Sequence, residues 1–227
     1  MAKETLKRGK ERTADMIDRL AALYPDARCA LEYRNPLQLL VATILSAQCT
    51  DVRVNMVTPL LFARFPDAAA LAAAAIGDIE KIIRSTGFFR VKAQAIQQTA
   101  RQLVQKHGGK VPDTMEELTG LRGVGRKTAN VVLGNAFGKN VGIVVDTHVG
   151  RLSRRLGLIP IAIGTQPEKI EQRLLALVPQ PKWTLFSHLL ILHGRQVCRA
   201  RKPDCNHCVL AELCPSAFQG DGSKAKK

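Results

Sequence analysis

The chain has 227 residues, and 46% of them are hydrophobic, which is enough to bury a core in one large domain or two smaller ones. Lysine and arginine number 34 against 19 for aspartate and glutamate, so a net charge of +15 favours a polyanionic partner. Nucleic acid fits this charge, although an anionic membrane surface would fit it too. Because the basic residues 3–12 precede no apolar segment, and no apolar run reaches about 18 residues, we expect neither a secretory signal nor a membrane span. The protein is therefore expected in the cytoplasm, without membrane association.

Helical patterns follow one another along the chain, and the alternating pattern typical of strands is nearly absent. Helices are predicted over residues 37–46, 68–75, 78–85, 91–107 and 183–193. The last of these should bury one face, formed by Phe186, Leu189, Leu190 and His193. The polar and basic residues 216–227 are predicted to form a disordered tail. We therefore expect an all-α fold.

Three helix starts carry capping signals. Asp51 is placed to cap the helix that follows it. Thr114 with Glu117, and Thr165 with Glu168, have the spacing of a capping box, in which a threonine hydroxyl and a later glutamate satisfy free backbone amides. We expect helices to begin directly after Asp51, Thr114 and Thr165.

A hairpin is predicted between two helices at residues 121–129, where Gly123 and Gly125 interrupt the helical pattern. Glycines allow a tight turn and a close approach to a ligand, and the free amides at the start of the second helix attract anions. A helix–hairpin–helix that holds a DNA phosphate fits this segment. A plain turn between two helices is the alternative.

Lys127 lies in the first turn of the second helix of this hairpin. The positive end of the helix dipole there, with Arg122 and Arg126 nearby in sequence, is expected to lower the pKa of its amine. A neutral amine is a nucleophile. A simple phosphate contact by Lys127 is the alternative, and the lysine alone does not decide between the two.

Asp146 follows an apolar, extended segment at 141–145 and precedes a helical pattern, so its position is that of an N-cap. A carboxylate held near Lys127 could also move protons for the amine and stabilise a cationic sugar as a base departs. Capping alone explains the residue, and the two roles can coexist.

Four cysteines are concentrated near the C-terminus, namely Cys198, Cys205, Cys208 and Cys214. Four thiolates at close spacing bind zinc or an iron–sulfur cluster, and only the middle pair has the spacing of a zinc knuckle. Cys29 and Cys49 lie far away in sequence and are expected to be buried thiols. The loop after Cys198 carries basic residues suited to phosphate contact, Arg199, Arg201 and Lys202.

Together these residues resemble the endonuclease III family of bacterial DNA glycosylases with lyase activity. The resemblance rests on L-R-G-V-G-R-K-T-A-N-V-V-L from Leu121, V-D-T-H-V-G-R-L from Val145, L-S-A-Q-C-T-D from Leu45 and the cysteine spacing. It covers residues 15–215 and implies a two-domain helix–hairpin–helix DNA glycosylase fold. A six-helix barrel would span 30–140, and an iron–sulfur domain would combine 1–29 with 141–215. The resemblance also favours a [4Fe–4S] cluster over zinc.

The resemblance further implies roles for single residues. Lys127 would attack C1′ of the damaged nucleotide with help from Asp146, and a Schiff base would form before β-elimination. Gln48 would fill the gap left by the flipped base and Phe88 would act as an apolar wedge, although a core role for Phe88 and a capping role for Gln48 are alternatives. The full set of predicted DNA contacts is Gln48, Phe88, Gly123, Val124, Gly125, Arg126, Thr128, His148, Arg199, Arg201 and Lys202. The expected partner is double-stranded DNA with damaged pyrimidines or abasic sites, bound by a monomer.

The sequence departs from the family pattern in two places. Arg122 stands where the family usually has proline, and Phe88-Phe89 replaces a Leu-Tyr pair. A bulkier wedge could change the range of lesions.

Three other functions compete with this interpretation. An adenine-specific or lyase-free glycosylase of the same fold would lack Lys127, and a DNA-binding module would not need Asp146. The third alternative is an iron–sulfur electron carrier.

Overall fold

The computed structural model describes residues 5–219, and this part of the chain contains helices and turns but no strand. Its contacts divide the chain into two compact units. The central unit is Cys29–Lys139, and the terminal unit combines the described residues up to Arg28 with those from Asn140 onward. The all-α prediction is confirmed, whereas the assignment of a six-helix barrel and an iron–sulfur domain stays a prediction.

Eleven α-helices are present in the described chain. In the terminal unit they are α1 (Leu6–Leu23), α9 (Thr147–Arg155), α10 (Pro167–Leu175) and α11 (Trp183–Gln196). In the central unit they are α2 (Pro36–Leu45), α3 (Asp51–Arg64), α4 (Ala68–Ala73), α5 (Ile76–Ile83), α6 (Phe89–His107), α7 (Met115–Thr119) and α8 (Arg126–Ala136). Short 3-10 turns, among them Arg84–Thr86 before α6, join some of them.

Side-chain caps define many helix starts, but two of the three predicted caps are one residue away from the observed ones. The Thr114 hydroxyl accepts a hydrogen bond from the amide of Glu117 (3.3 Å), as predicted. Helix α3 is capped by Thr50 rather than Asp51, which is its first residue. Helix α10 begins at Pro167 after Gln166, so Thr165 is not its cap. Proline favours the first helical position because its missing N–H would have no partner there, and it decides this boundary.

The core of the central unit is built around α2, whose side chains are buried on nearly all sides. Leu39, Leu40 and Leu45 are each fully buried, as are the inner residues of α6, such as Ile96 and Leu103. A helix with apolar residues all round needs neighbours on every side. Helices α3, α6 and α8 supply them.

The core of the terminal unit joins residues that are distant in sequence. Met16, Ile17 and Leu20 of α1 belong to the same buried cluster as the inner face of α11. That face was predicted correctly, since Phe186, Leu189, Leu190 and His193 are all buried. Arg12 of α1 also donates to the carbonyl oxygens of Leu156 (2.7 Å) and Leu213 (3.2 Å), so α1 is fastened to the cysteine-rich segment by polar contacts as well.

No helix within residues 5–219 is both long and apolar enough to cross a membrane. Of the predicted tail, residues 216–219 form turns, and residues 220–227 lie outside the described part of the chain.

Candidate functional site

The predicted hairpin lies between α7 and α8. Gly123 has φ +76°, and a Cβ atom there would lie 3.2 Å from the Cβ of Ala95, so both conformation and space favour glycine. Gly125 precedes α8, and no side chain caps the start of this helix. An uncapped helix start leaves amides available for an anion, as the phosphate-binding prediction requires.

The hairpin is fastened to α6 by hydrogen bonds at Arg122. Its amide donates to Oε1 of Gln102 (2.6 Å), and its carbonyl oxygen accepts from the hydroxyl of Thr99 (2.6 Å). Proline, which the family usually has here, could not donate this hydrogen bond. Arg122, which stands in place of the expected proline, therefore forms a polar contact with Gln102 that proline could not form.

Lys127 is exposed on the first turn of α8, and Arg126 and Thr128 beside it are half-buried. The side chain of Val124 is buried, as is that of Leu121, and the amide of Val124 donates to the carbonyl of Leu121 (3.2 Å). Packing within the hairpin thus occupies Val124, whereas the amine of Lys127 is accessible.

Asp146 is the N-cap of α9, as its position in the sequence predicted. Its Oδ1 atom accepts a hydrogen bond from the amide of Val149 (2.8 Å), and the residue is half-buried. Residues 142–144 before it are buried, and the amide of Val144 donates to the hydroxyl of Ser187 on α11 (3.1 Å). Asp146 belongs to the terminal unit and Lys127 to the central unit.

His148 follows in the first turn of α9 and is half-buried against α11. Its Nδ1 lies 3.1 Å from Nη2 of Arg151, and a Cβ atom on Gly194 would lie 2.8 Å from it, so α11 can approach His148 only with glycine at this position. Burial lowers the pKa of His148, and the charges of Arg151 and Arg195 lower it further, while Asp146 acts in the opposite direction. The ring is therefore held neutral in a strongly basic environment.

Gln48 and Phe88 share an unusual backbone conformation. Their φ angles are +52° and +47°, and Phe218 is the other non-glycine residue within 5–219 with a positive φ. Such conformations cost free energy and persist where the surrounding structure enforces them. Both side chains are exposed, Phe88 by 65%. A core role for Phe88 is thereby excluded, and the wedge role is compatible with its position.

The four predicted cysteine ligands line one cavity of about 220 Å³ in the terminal unit. Within the described chain, no three His, Cys, Asp or Glu side chains form a ligand set for one metal ion. Burial raises the pKa of the Cys208 and Cys214 thiols, and the charges of the neighbouring cysteines raise it further. As thiolates, the four would need a compensating positive charge in this cavity.

Two side chains that the sequence did not connect with the cysteines, those of Arg155 and His193, contact them. Arg155 donates to Sγ of Cys198 (3.4 Å) and to the carbonyl oxygens of Arg199 and Ala200 (2.7 Å each). Nε2 of His193 lies 3.2 Å from Sγ of Cys208, and burial lowers the pKa of this histidine to about 4. Arg155 thus holds the backbone of the loop whose exposed side chains include Arg199, Arg201 and Lys202.

Cys29 and Cys49 are half-buried and belong to the central unit, apart from the cavity. They pack against its hydrophobic core but are only partly buried, whereas the sequence predicted buried thiols. Neither lines the cavity that the four cysteines near the C-terminus share.

Comparison with known proteins gives consistent matches over nearly the whole chain. Residues 41–180 match the HhH-GPD superfamily base excision DNA repair protein family. The chain is 58% identical to endonuclease III of Synechocystis sp., over 92% of this chain and 94% of the relative. It is 40% identical to endonuclease III of Escherichia coli K12, over 90% and 95% of the two chains. The solved structure of a trapped endonuclease III–DNA covalent intermediate superposes with a TM-score of 0.86 at 41% identity, over 92% of this chain and 97% of that one.

Proposed function

Because this chain belongs to the endonuclease III family of base excision DNA repair enzymes, we propose that it removes oxidised pyrimidines of the thymine glycol type from double-stranded DNA. It is a DNA glycosylase with associated lyase activity, so excision of the base is followed by β-elimination that cuts the strand. We also propose that it acts as a monomer in the cytoplasm.

The observation that carries the proposal is an accessible lysine at an uncapped helix start. The amides of α8 suit a DNA phosphate, and Lys127 lies on the same turn. Its Nζ forms a bond to C1′ of the damaged nucleotide while the bond from C1′ to the base breaks, and the base leaves with the electron pair. Loss of the amine proton and opening of the sugar give a Schiff base, from which β-elimination follows.

Asp146 is proposed to accept the proton of the amine and to stabilise the cationic sugar. Its Oδ1 is already bound to the amide of Val149, so the carboxylate is held in one orientation by its capping contact. Capping and catalysis are therefore compatible in this residue.

Residues on both units are proposed to contact DNA. Gln48 and Phe88 would enter the duplex at the extruded nucleotide, and their constrained backbones suit residues that must keep one orientation. The other proposed contacts are Gly123, Gly125, Arg126, Thr128, His148, Arg199, Arg201 and Lys202. Since phosphate contacts position a protein without reading sequence, we expect recognition of damage rather than of a DNA sequence.

The proposed cofactor is a [4Fe–4S] cluster held by Cys198, Cys205, Cys208 and Cys214. A single zinc ion would need all four sulfurs about 2.3 Å from one point, whereas a cluster accepts ligands around a larger volume. The cavity of about 220 Å³ that all four cysteines line, and membership of the endonuclease III family, support the cluster. When bound, it ties the segment 198–214 together and thereby supports its basic loop.

Substrate comparison tests the proposal. Duplexes with thymine glycol, with an abasic site, or with adenine opposite a mismatched base are incubated with the protein, and the released base and the cut strand are quantified separately. We expect excision and strand cleavage at thymine glycol and cleavage at the abasic site. Release of adenine would favour the adenine-specific alternative, and binding without either reaction would favour a DNA-binding module.

A further inference from the structure

Lys92, on the first turn of α6, is buried although lysine side chains are normally exposed. Only 5% of the residue is accessible, and its Nζ donates to the carbonyl oxygen of Thr86 (2.7 Å). Burial lowers the pKa of Lys92, and the nearby Cys49 thiol acts in the opposite direction. The amine is thus placed inside the central unit and directed at one backbone carbonyl.

The carbonyl that Lys92 contacts precedes two consecutive residues with positive φ, Gly87 (+68°) and Phe88 (+47°). The main chain of Lys92 binds the other end of this turn, because its amide donates to the carbonyl oxygen of Phe88 (3.0 Å). Thr86 is itself fixed, since it is buried and its hydroxyl donates to the carbonyl of Ile83 (2.8 Å). One residue therefore holds both sides of the turn that presents the exposed Phe88 ring.

The second constrained residue, Gln48, directly precedes a cysteine whose charge acts on this lysine. Cys49 interacts electrostatically with the Lys92 amine, and Gln48 immediately precedes Cys49 with φ +52°. The amide of Cys49 donates to the carbonyl of Ser46 (3.1 Å), which closes the turn around Gln48. The Lys92 amine is thus bound to the turn that carries Phe88, and it interacts electrostatically with the residue that follows Gln48.

We propose that Lys92 is a positioning residue for base extrusion: it fixes the turn that directs Phe88, which works together with Gln48. The inference rests on the proposed function, since it assumes that these two side chains replace the extruded base. Stability alone does not require the amine, because burying it costs free energy that a methionine side chain of similar length would not cost. Extrusion requires that both side chains keep one orientation while they displace a stacked base.

The test compares Lys92→Met with Lys106→Met, which changes an exposed lysine at the other end of the same helix. Single-turnover excision of thymine glycol is measured in a duplex that carries 2-aminopurine opposite the lesion, because its fluorescence rises when it loses its stacking neighbours. Borohydride trapping on a duplex abasic site reports the chemistry where no base has to leave the stack. Melting temperatures report folding.

For Lys92→Met we expect excision to slow by roughly tenfold to hundredfold, with a smaller fluorescence rise. Abasic-site trapping should fall much less, and the melting temperature should not fall. Lys106→Met should match the wild type in each assay. Unchanged excision by Lys92→Met would overturn the inference, and so would equal losses on both substrates. A wild-type protein that forms no adduct would instead contradict the proposed function.

A second variant tests the turn without altering the core. Gly87→Ala places a methyl group where no atom lies within 4 Å, but at a φ of +68° that alanine tolerates poorly. We expect excision of thymine glycol to slow, as in Lys92→Met, while abasic-site trapping falls much less. Wild-type excision by this variant would show that the geometry of the turn is not limiting and would count against the role of Lys92.

Discussion

Asp146 uses Oδ1 to accept the amide of Val149, and a catalytic role would use the charge of the same carboxylate. Asparagine caps helices about as well as aspartate but carries no charge, so substitution separates the two roles. Asp146→Asn should keep nearly the wild-type melting temperature while single-turnover excision falls by about 100-fold or more. Asp146→Ala should lose about 1 kcal/mol of stability in addition.

Denaturant unfolding and excision assays on both variants check this prediction. If Asp146→Asn excised the lesion at the wild-type rate, the residue would be a helix cap and nothing more. If both variants were equally destabilised, the assumption that asparagine caps α9 as well as aspartate does would be wrong.

Residues at constrained positions were the least predictable from the sequence. Gln48 and Phe88 adopt positive φ without being glycine or asparagine, the residues that usually signal this conformation. The burial of Lys92 was equally hidden, because a lysine in a helical pattern is expected on the exposed face. Such positions depend on contacts between distant segments, and local sequence does not encode those contacts visibly.

At the level of elements, the hairpin depends on glycine at position 123, where both the backbone conformation and the available space disfavour other residues. Gly123 has φ +76°, and a methyl group added there would lie only 3.2 Å from the Cβ of Ala95. Gly123→Ala should cost roughly 1–3 kcal/mol and weaken DNA binding, because the turn before α8 must shift. Gly77→Ala in α5 is the control, since it has ordinary φ and open space, and it should be neutral or stabilising by up to about 1 kcal/mol.

Urea unfolding measures the free energy of unfolding, and a mobility-shift assay on abasic DNA measures the affinity for DNA. A Gly123→Ala protein with wild-type stability and affinity would contradict the requirement for glycine in the hairpin.

The segment 198–214 should depend on its cofactor. Cys208→Ala removes one of the four thiols around the cavity, so iron content and visible absorbance should fall strongly, and DNA affinity should fall with them because the basic loop loses support. Cys29→Ala is the matched control, as this thiol lies in the central unit. Iron analysis after purification under anaerobic conditions is the measurement. Stoichiometric zinc with no iron in the wild-type protein would contradict the proposed cluster.

Helix positions were predicted well where buried apolar residues recur at the spacing of an α-helix. The buried face of α11 came directly from the spacing of Phe186, Leu189, Leu190 and His193. Boundaries were less accurate, since adjacent polar residues compete for the cap, as Thr50 and Asp51 do at α3. Proline at 167 shifted the start of α10 beyond the threonine that fits the capping box.

For the whole molecule, acid stability should depend on His188 of α11, which is half-buried. Burial lowers the pKa of His188 below its ordinary value of about 6.5. The unfolded chain therefore takes up a proton as the pH falls through about 6.5, while the folded protein does not until a lower pH, so stability is lost as the pH falls. His188→Gln should show a smaller loss between about pH 7 and pH 5.

Urea unfolding of both proteins at the two pH values checks this prediction. An equal loss in the two proteins would mean that His188 does not contribute to acid sensitivity.

The family and the chemistry were predictable from sequence because short motifs carry them, in particular the hairpin with Lys127 and the cysteine spacing. The supporting contacts were not, because they join segments far apart along the chain. Arg155 of α9 reaches the loop after Cys198, and Gln102 of α6 reaches the hairpin at Arg122. The motifs identify the reactive residues, and the contacts between distant segments explain how those residues are held in place.

The most direct test of the account is borohydride trapping on a duplex abasic site with the wild type, Lys127→Ala and Lys110→Ala, which removes an exposed lysine of the same unit. Binding of each protein to the same DNA is measured in parallel. We predict a covalent adduct for the wild type and Lys110→Ala, and none for Lys127→Ala although it still binds the DNA. An adduct that persists in Lys127→Ala would contradict the assignment of Lys127 as the nucleophile.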